Sequence, residues 1–335
     1  MNTNASTIAF PIDLVYLWVD GNDAAWQAKR QTYMTGAQTK STSADATSEA
    51  RWRNNDELLF SLRSVEMYAP WVNHIYIITD NQRPEWLVPN HPKVTIVDHV
   101  EIFPPEAIPI FNSGALEACI HKIKGLSEHF LFANDDTLFA QRVEPTDFFL
   151  PDGRPIVRFM HFSRRKAHRK GHYHRMLYHM QNLAKEQTGR LIALAPHHNI
   201  DAYCKSTYAH CVEQLYPEEW HQTIFHRFRE EGDMHRSFVA YWMVATGNAV
   251  MRRVGRYNRV TGGLVGHLRA FLSGRYATDS RVVSANLPDY EKVMRKYNPL
   301  MICANDNEHT TPEDCKRMHA FLQARYPAQS SFEKR

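Results

Sequence analysis

Four short runs of β-branched and aromatic residues, at positions 12–19, 74–79, 94–97 and 129–133, recur through the first part of the chain. Helical stretches or a Pro-bounded turn separate them. Apolar runs of this length, bounded by turn residues, read as buried strands, and strand, helix, strand at this spacing implies parallel βαβ units. The predicted fold class is therefore α/β, with a Rossmann-like sheet. Ligands of open α/β sheets bind beyond the carboxyl ends of the strands. The first run stops in Asp20 and Gly21, which makes both candidate substrate-binding residues. No GxGxxG follows, so the dinucleotide fingerprint is absent.

The fourth run stops in Asn134, Asp135 and Asp136. Two adjacent carboxylates repel each other unless a positive charge sits beside them, and a hard divalent cation with oxygen ligands, Mg²⁺ or Mn²⁺, would supply it. A plain acidic turn is the alternative, since Asn-Asp-Asp is good turn chemistry. Upstream, residues 24–34 form a short helix, and residues 35–50 lose apolar character and read as a loop, either a linker or a flap over the site. Asn55 or Asp56 can cap a helix carrying Leu58, Leu59, Leu62 and Val65 at helical spacing. Arg53 and Arg63 flank it and can meet phosphate or form surface ion pairs. Asn112 or Ser113 can cap another helix, in which Glu117 alone would merely complement the helix dipole.

Composition narrows the class. With 335 residues, 43% hydrophobic and 23% charged, this is an ordinary globular chain able to bury a large core. A net charge of +4 suits phosphate-bearing ligands and does not indicate nucleic acid. The five Cys include no CxxC pair, which fits free thiols in a reducing compartment. No signal-peptide pattern opens the chain, and the longest apolar stretch, 238–246, is far shorter than the about 20 residues a spanning helix needs. A cytoplasmic enzyme, docked at most on a membrane surface, is the expectation.

Six stretches together carry a family signature: Asp13-Leu-Val-Tyr-Leu-Trp-Val-Asp-Gly-Asn-Asp23, Asp56-Glu-Leu-Leu-Phe-Ser-Leu-Arg-Ser64, Ala69-Pro-Trp-Val72, Ile75-Tyr-Ile-Ile-Thr-Asp80, Phe111-Asn-Ser113 and Asn134-Asp-Asp136. In this order they resemble the Stealth family of sugar-1-phosphate transferases, which includes bacterial capsular polysaccharide phosphotransferases and the lysosomal N-acetylglucosamine-1-phosphotransferase catalytic subunit. The resemblance continues through Ala195-Pro-His-His-Asn-Ile200, His226-Arg-Phe-Arg229 to Asp233, and Leu300-Met-Ile-Cys-Ala-Asn-Asp306. Gly114, Ala304 and the whole of residues 151–194 depart from the family pattern.

What the resemblance implies is a nucleotide diphospho-sugar donor, a UDP-hexose or UDP-N-acetylhexosamine, and a glycan acceptor. Sugar 1-phosphate would be joined to the acceptor as a phosphodiester, with UMP released. In that reading Asp136 and Asp306 hold the cation, Arg229 stabilises the transition state, and His197 or Glu117 is the base, with His197 placed at the start of a helix. Asn112 and Asn134 join Asp20, Gly21, Arg53 and Arg63 as substrate contacts. A metal-dependent glycosyltransferase releasing UDP and a non-enzymatic polyanion binder are the alternatives. The second would rest on the Arg, Lys and His run at 164–175, with His179 behind it, which suits a polyanionic glycan, acidic lipid headgroups or a solvated face.

The predicted organisation is an α/β nucleotide-sugar-binding part at 1–150 and a basic variable insertion at 151–196. A mainly helical part at 197–335, with a C-terminal strand and helix, completes the same catalytic domain. Helical periodicity is expected over 199–215 and 234–251.

Overall fold

The computed structural model describes residues 8–34, 52–167 and 171–334. The expected loop at 35–50 and three residues of the basic run lie outside them. β1 (Ile12–Leu17), β2 (Ile75–Thr79), β3 (Val94–Asp98) and β4 (His129–Asn134) form a parallel sheet in the order 3-2-1-4, so the chain is α/β with a Rossmann-like core. Strand order reverses between β1 and β4, and Leu17 pairs with Asn134 at their carboxyl ends. That is the topological switch point at which such sheets bind ligands.

Period-two alternation gives each face of the sheet its own core. Val15, Leu17, Ile78, Phe130 and Phe132 face one cluster; Leu14, Tyr16, Ile77, Leu131 and Ala133 face another. After α1 (Ala24–Met34), α2 (Glu57–Tyr68) covers the second face with Leu58, Leu62 and Val65. Its start corrects the expected cap. Asp56 stands there in the left-handed region at φ 64° with no capping bond from its side chain, and Asn55 instead donates to the Glu57 carboxylate from both backbone and side chain, at 2.7 and 2.8 Å. The next helix, α3 (Ser113–Ala118), is capped as expected, with Asn112 Oδ1 accepting from the Gly114 N–H at 3.0 Å.

Beyond β4 the chain turns at once into β5 (Thr137–Phe139). Two Ser of α2 hold this strand: Ser61 donates to the Thr137 carbonyl at 2.6 Å, and Ser64 accepts from the Phe139 N–H at 3.0 Å. The described residues of the segment that departs from the family pattern form regular elements. β6 (Ile156–His161) places Val157 and Phe159 in the core, α4 (His172–Thr188) follows, and β7 (Leu194–Pro196) pairs with β6.

The second half holds more strand than periodicity predicts. Where a helix is expected from 199, β8 (Asp201–Cys204) joins the main sheet antiparallel to β4, and α5 (Lys205–Glu213) starts only after it. α6 (Pro217–Phe225) and α7 (Ser237–Thr246) pack onto the sheet, and β9 (Val250–Arg253) pairs with β6. The exposed α8 (Gly263–Ser273) leads to β10 (Ser280–Ser284), α9 (Tyr290–Tyr297), β11 (Met301–Asn305) and α10 (Pro312–Arg325). β11 joins β5, not the main sheet: Met301 pairs with Phe139, and the Ala304 N–H donates to the Asp136 carbonyl at 2.7 Å. This pairing carries Cys303 and Asp306 to the switch point.

Candidate active site at the switch point

Asp135 and Asp136 fill the turn between β4 and β5, each half-buried. Asp136 Oδ2 accepts the Cys303 thiol at 3.1 Å, while its Oδ1 is buried with no hydrogen-bond partner. Burial, then the neighbouring charges of Asp136 and Glu57, push the Asp135 carboxyl well up. Burial also lifts Glu57, to about 7, against its Asn55 bonds and with help from Asp136. The Cys303 thiol is driven up by burial and by the Asp136 charge, which keeps it a protonated donor. Asp306 Oδ2 is likewise buried without a hydrogen bond and stands 3.4 Å from Arg53 Nε, while Arg53 Nη1 donates to the Thr310 carbonyl at 3.2 Å.

Buried carboxylate oxygens without donors suit a cation, because an unpaired buried acceptor is costly and a divalent ion satisfies several at once. Among the described residues, donor atoms of Asp136, His198 and Cys303 lie within 4.8 Å of one another. His198 and Cys303 thus stand beside Asp136, while Asp306, the expected second carboxylate, stands at the rim by Arg53. A hard ion prefers the oxygen of the Asp136 carboxylate to a thiol, and the His198 imidazole stands beside it as a further ligand.

His198 links this acidic cluster to a second one. Its Nε2 stands 3.3 Å from Asn134 Nδ2, and its charge is felt by Glu117, Asp201 and His235. In the second cluster the buried Arg236 reaches three ways: to Asp201 by a short ion pair, to Glu117 Oε1 at 3.5 Å and to the Tyr203 hydroxyl at 3.3 Å. Its guanidinium lies 4.8 Å from the centre of the Phe132 ring. Glu117 Oε2 faces His235 Nε2 at 3.4 Å and has no hydrogen bond. Burial raises the Glu117 carboxyl, and the charges of Arg236 and Arg229 offset this only in part. His235 is pushed far down by burial and by the same two Arg, so its imidazole is neutral. Arg229 is fixed by a short bond to Ser113 Oγ, at the start of the helix that carries Glu117.

The expected site residues divide on this geometry. Glu117, Asn134, Asp136 and Arg229 converge, and Arg53 and Asp306 meet at the rim. Asp20 tightens the β1 turn, its Oδ1 accepting from the Asn22 N–H at 2.9 Å. Gly21 is needed for close approach, since a Cβ there would meet the Trp52 carbonyl oxygen at 1.8 Å; with Arg30, Trp52 and Arg53 it lines a cavity of about 450 Å³. His197 is not at a helix start. It sits in the turn between β7 and β8, its N–H bonded to the Arg158 carbonyl at 2.8 Å, and burial pushes its imidazole to about 4.

Two residues expected at the substrate are occupied by the scaffold. Arg63 donates to both Glu333 carboxylate oxygens, at 2.9 and 2.7 Å, and to the Tyr326 carbonyl at 3.0 Å. Fully buried Asn112 spends its amide on Asp233 Oδ2 at 2.8 Å and its oxygen on the helix cap. Asp233 in turn pairs with His226 Nδ1 at 2.6 Å. Sequence reasoning misses Glu57, His198, Asp201, His235, Arg236 and Cys303. The His197-His198 doublet is a signal for one of them; the rest stand in apolar or helix-like stretches and have none.

Family models described as Stealth protein conserved regions 1, 2 and 3 match residues 10–37, 51–157 and 197–246. These spans contain Asp20, Glu57, Glu117, Asp136, His198, Arg229 and Arg236. An exopolysaccharide phosphotransferase of Streptomyces coelicolor is 35% identical over 98% of this chain and 53% of that protein. A capsular polysaccharide phosphotransferase of Actinobacillus pleuropneumoniae is 34% identical over 72% of this chain and 68% of that protein. The chain spans about half the length of the Streptomyces relative. A solved galactosyltransferase, LgtC, in complex with donor and acceptor sugar analogues, aligns at 10% identity and a TM-score of 0.43 over 93% of this chain and 96% of that one.

Proposed function

As the chain belongs to the Stealth family, we propose that it transfers sugar 1-phosphate from a nucleotide diphospho-sugar to a glycan hydroxyl. The donor is of UDP-hexose or UDP-N-acetylhexosamine type, and the product serves capsule or cell-surface polysaccharide synthesis. The observation that carries this reading is the meeting of the carboxylate cluster around Asp136, in which one oxygen each of Asp136 and Asp306 is buried without a donor, with the Glu117, Arg229 and Arg236 cluster at the switch point.

The donor lies across the ends of β1 and β4, with its nucleotide toward the cavity beside Gly21, Trp52 and Arg53. The acceptor arrives from the side of α4, whose His172, Arg175 and His179 line a cavity of about 280 Å³ with the loop that follows Arg229. The acceptor oxygen forms a bond to the phosphorus that bears the sugar. The bond from that phosphorus to the bridging oxygen breaks, and its electron pair leaves with UMP. Glu117 takes the acceptor proton in preference to His197, since burial makes its carboxylate a stronger base than usual and an imidazole pushed to about 4 is a weaker one. Arg229 and Arg236 face the charge that develops on the transferring phosphoryl group. Asp136, with His198 beside it and Asp306 on the rim, would hold Mg²⁺ or Mn²⁺, which when bound offsets charge on the diphosphate.

Product identity tests this reading. Purified protein is given a panel of UDP-sugars, a glycan acceptor mixture and Mg²⁺, and UMP is resolved from UDP, with a chelator control. Chelator-sensitive UMP is expected. UDP would mean attack at the anomeric carbon and would overturn the phosphoryl-transfer assignment.

A further inference from the structure

Between β9 and β10 the chain leaves the sheets and builds α8 on the surface. Gly262 and Gly263, both at positive φ, open the helix, and Gly274 closes it in the same conformation. The helix buries none of its residues. Leu264, Val265, Leu268, Phe271 and Leu272 are 90, 70, 58, 68 and 74% exposed. Spacings of one, four, seven and eight from the first place all five on one side of the helix. A monomer rarely leaves so continuous an apolar strip in water.

The segment that carries the strip has charge of one sign. Residues 251–276 contain six Arg and no Asp or Glu. Two of these Arg pair with Asp279: Arg252 at 3.1 Å and Arg259 at 3.5 Å. Arg253, Arg256, Arg269 and Arg275 are exposed. No helix among the described residues is long and apolar enough to cross a membrane. An apolar strip with exposed guanidinium groups about it matches the boundary of an anionic bilayer, where side chains such as Leu and Phe reach the acyl region and Arg meets headgroup phosphate. A second copy of the chain fits poorly, since a two-fold contact through this face would oppose the same Arg cluster to itself.

We infer that α8 is an interfacial helix that seats this protein on an anionic lipid surface, independently of the chemistry at the switch point. The test is vesicle flotation of the purified full chain with phosphatidylcholine alone and with phosphatidylcholine plus phosphatidylglycerol, at low and high salt. Binding is expected on the anionic vesicles and should weaken as salt rises. The double variant L268E/F271E should lower vesicle affinity by roughly tenfold or more. Its melting midpoint should match the parent's, because both side chains are exposed. R269E/R275E should remove the salt-sensitive part. Absence of binding, equal binding to neutral vesicles, or unchanged binding of L268E/F271E would overturn the inference. So would a concentration-dependent dimer that the same variant abolishes, which would assign the face to a second copy.

Discussion

Asp136 carries two burdens at once, since one carboxylate oxygen takes the Cys303 thiol and the other is buried without a donor. Changing Asp136 to Asn keeps the shape and removes the charge. Turnover should fall by roughly 10²–10³-fold or more, with the thermal midpoint moved by less than about 4 °C; near-normal activity would remove the cation from the account. Glu57 beside it makes a pH prediction. Its carboxyl is held at about 7 in the folded protein, above its ordinary value of 4.5, so the folded state binds the proton more tightly than the unfolded chain. Stability is then greatest below the lower value and declines as pH rises toward about 7, by on the order of 3 kcal/mol from this group. Melting with a chelator present, from about pH 5 to pH 8, should show that decline, and Glu57→Gln should flatten it. An unchanged slope in the variant would put the proton elsewhere. Of these residues, Asp136 is legible in the sequence because it ends an apolar run. Glu57 is not, because a Glu in the first turn of a helix is ordinarily solvated.

Among the elements, α2 does the most to hold the site in place. Its Ser61 and Ser64 hold β5, and its Arg63 clasps Glu333 near the end of the chain. Removing the guanidinium leaves a buried carboxylate short of donors, so Arg63→Ala should cost about 2–3 kcal/mol in urea unfolding. KM for the donor should stay unchanged; a large rise in KM at unaltered stability would instead return Arg63 to the substrate. α2 was legible from the recurrence of Leu58, Leu62 and Val65. β8 was not: Asp201 to Cys204 lie within a stretch of helical periodicity, and only pairing along β4 makes them a strand. His197 was misplaced for the same reason, since the expected helix begins one strand later.

At the scale of the whole molecule the site exists only when the chain closes on itself, because β11 brings Cys303 to a turn made by β4 and β5. A cation that binds this assembled cluster should stabilise the fold, by about 2.7 kcal/mol at a hundred times its dissociation constant. Mg²⁺ and Mn²⁺ should therefore raise the melting midpoint of the parent protein but not of Asp136→Asn, and equal shifts in both would place the ion elsewhere. The sequence by itself determined the α/β class, the strands β1 to β4 and the acidic turn after β4, because apolar period, strand length and turn chemistry are local properties. It also carried the family signature, because that is read along the chain. Tertiary structure alone decided that β11 pairs with β5, that Arg236 joins Glu117 to Asp201, that His198 stands between the two clusters, and that Arg63 and Asn112 belong to the scaffold. Those outcomes depend on which buried charges find partners across long chain separations, and no local pattern records such pairings.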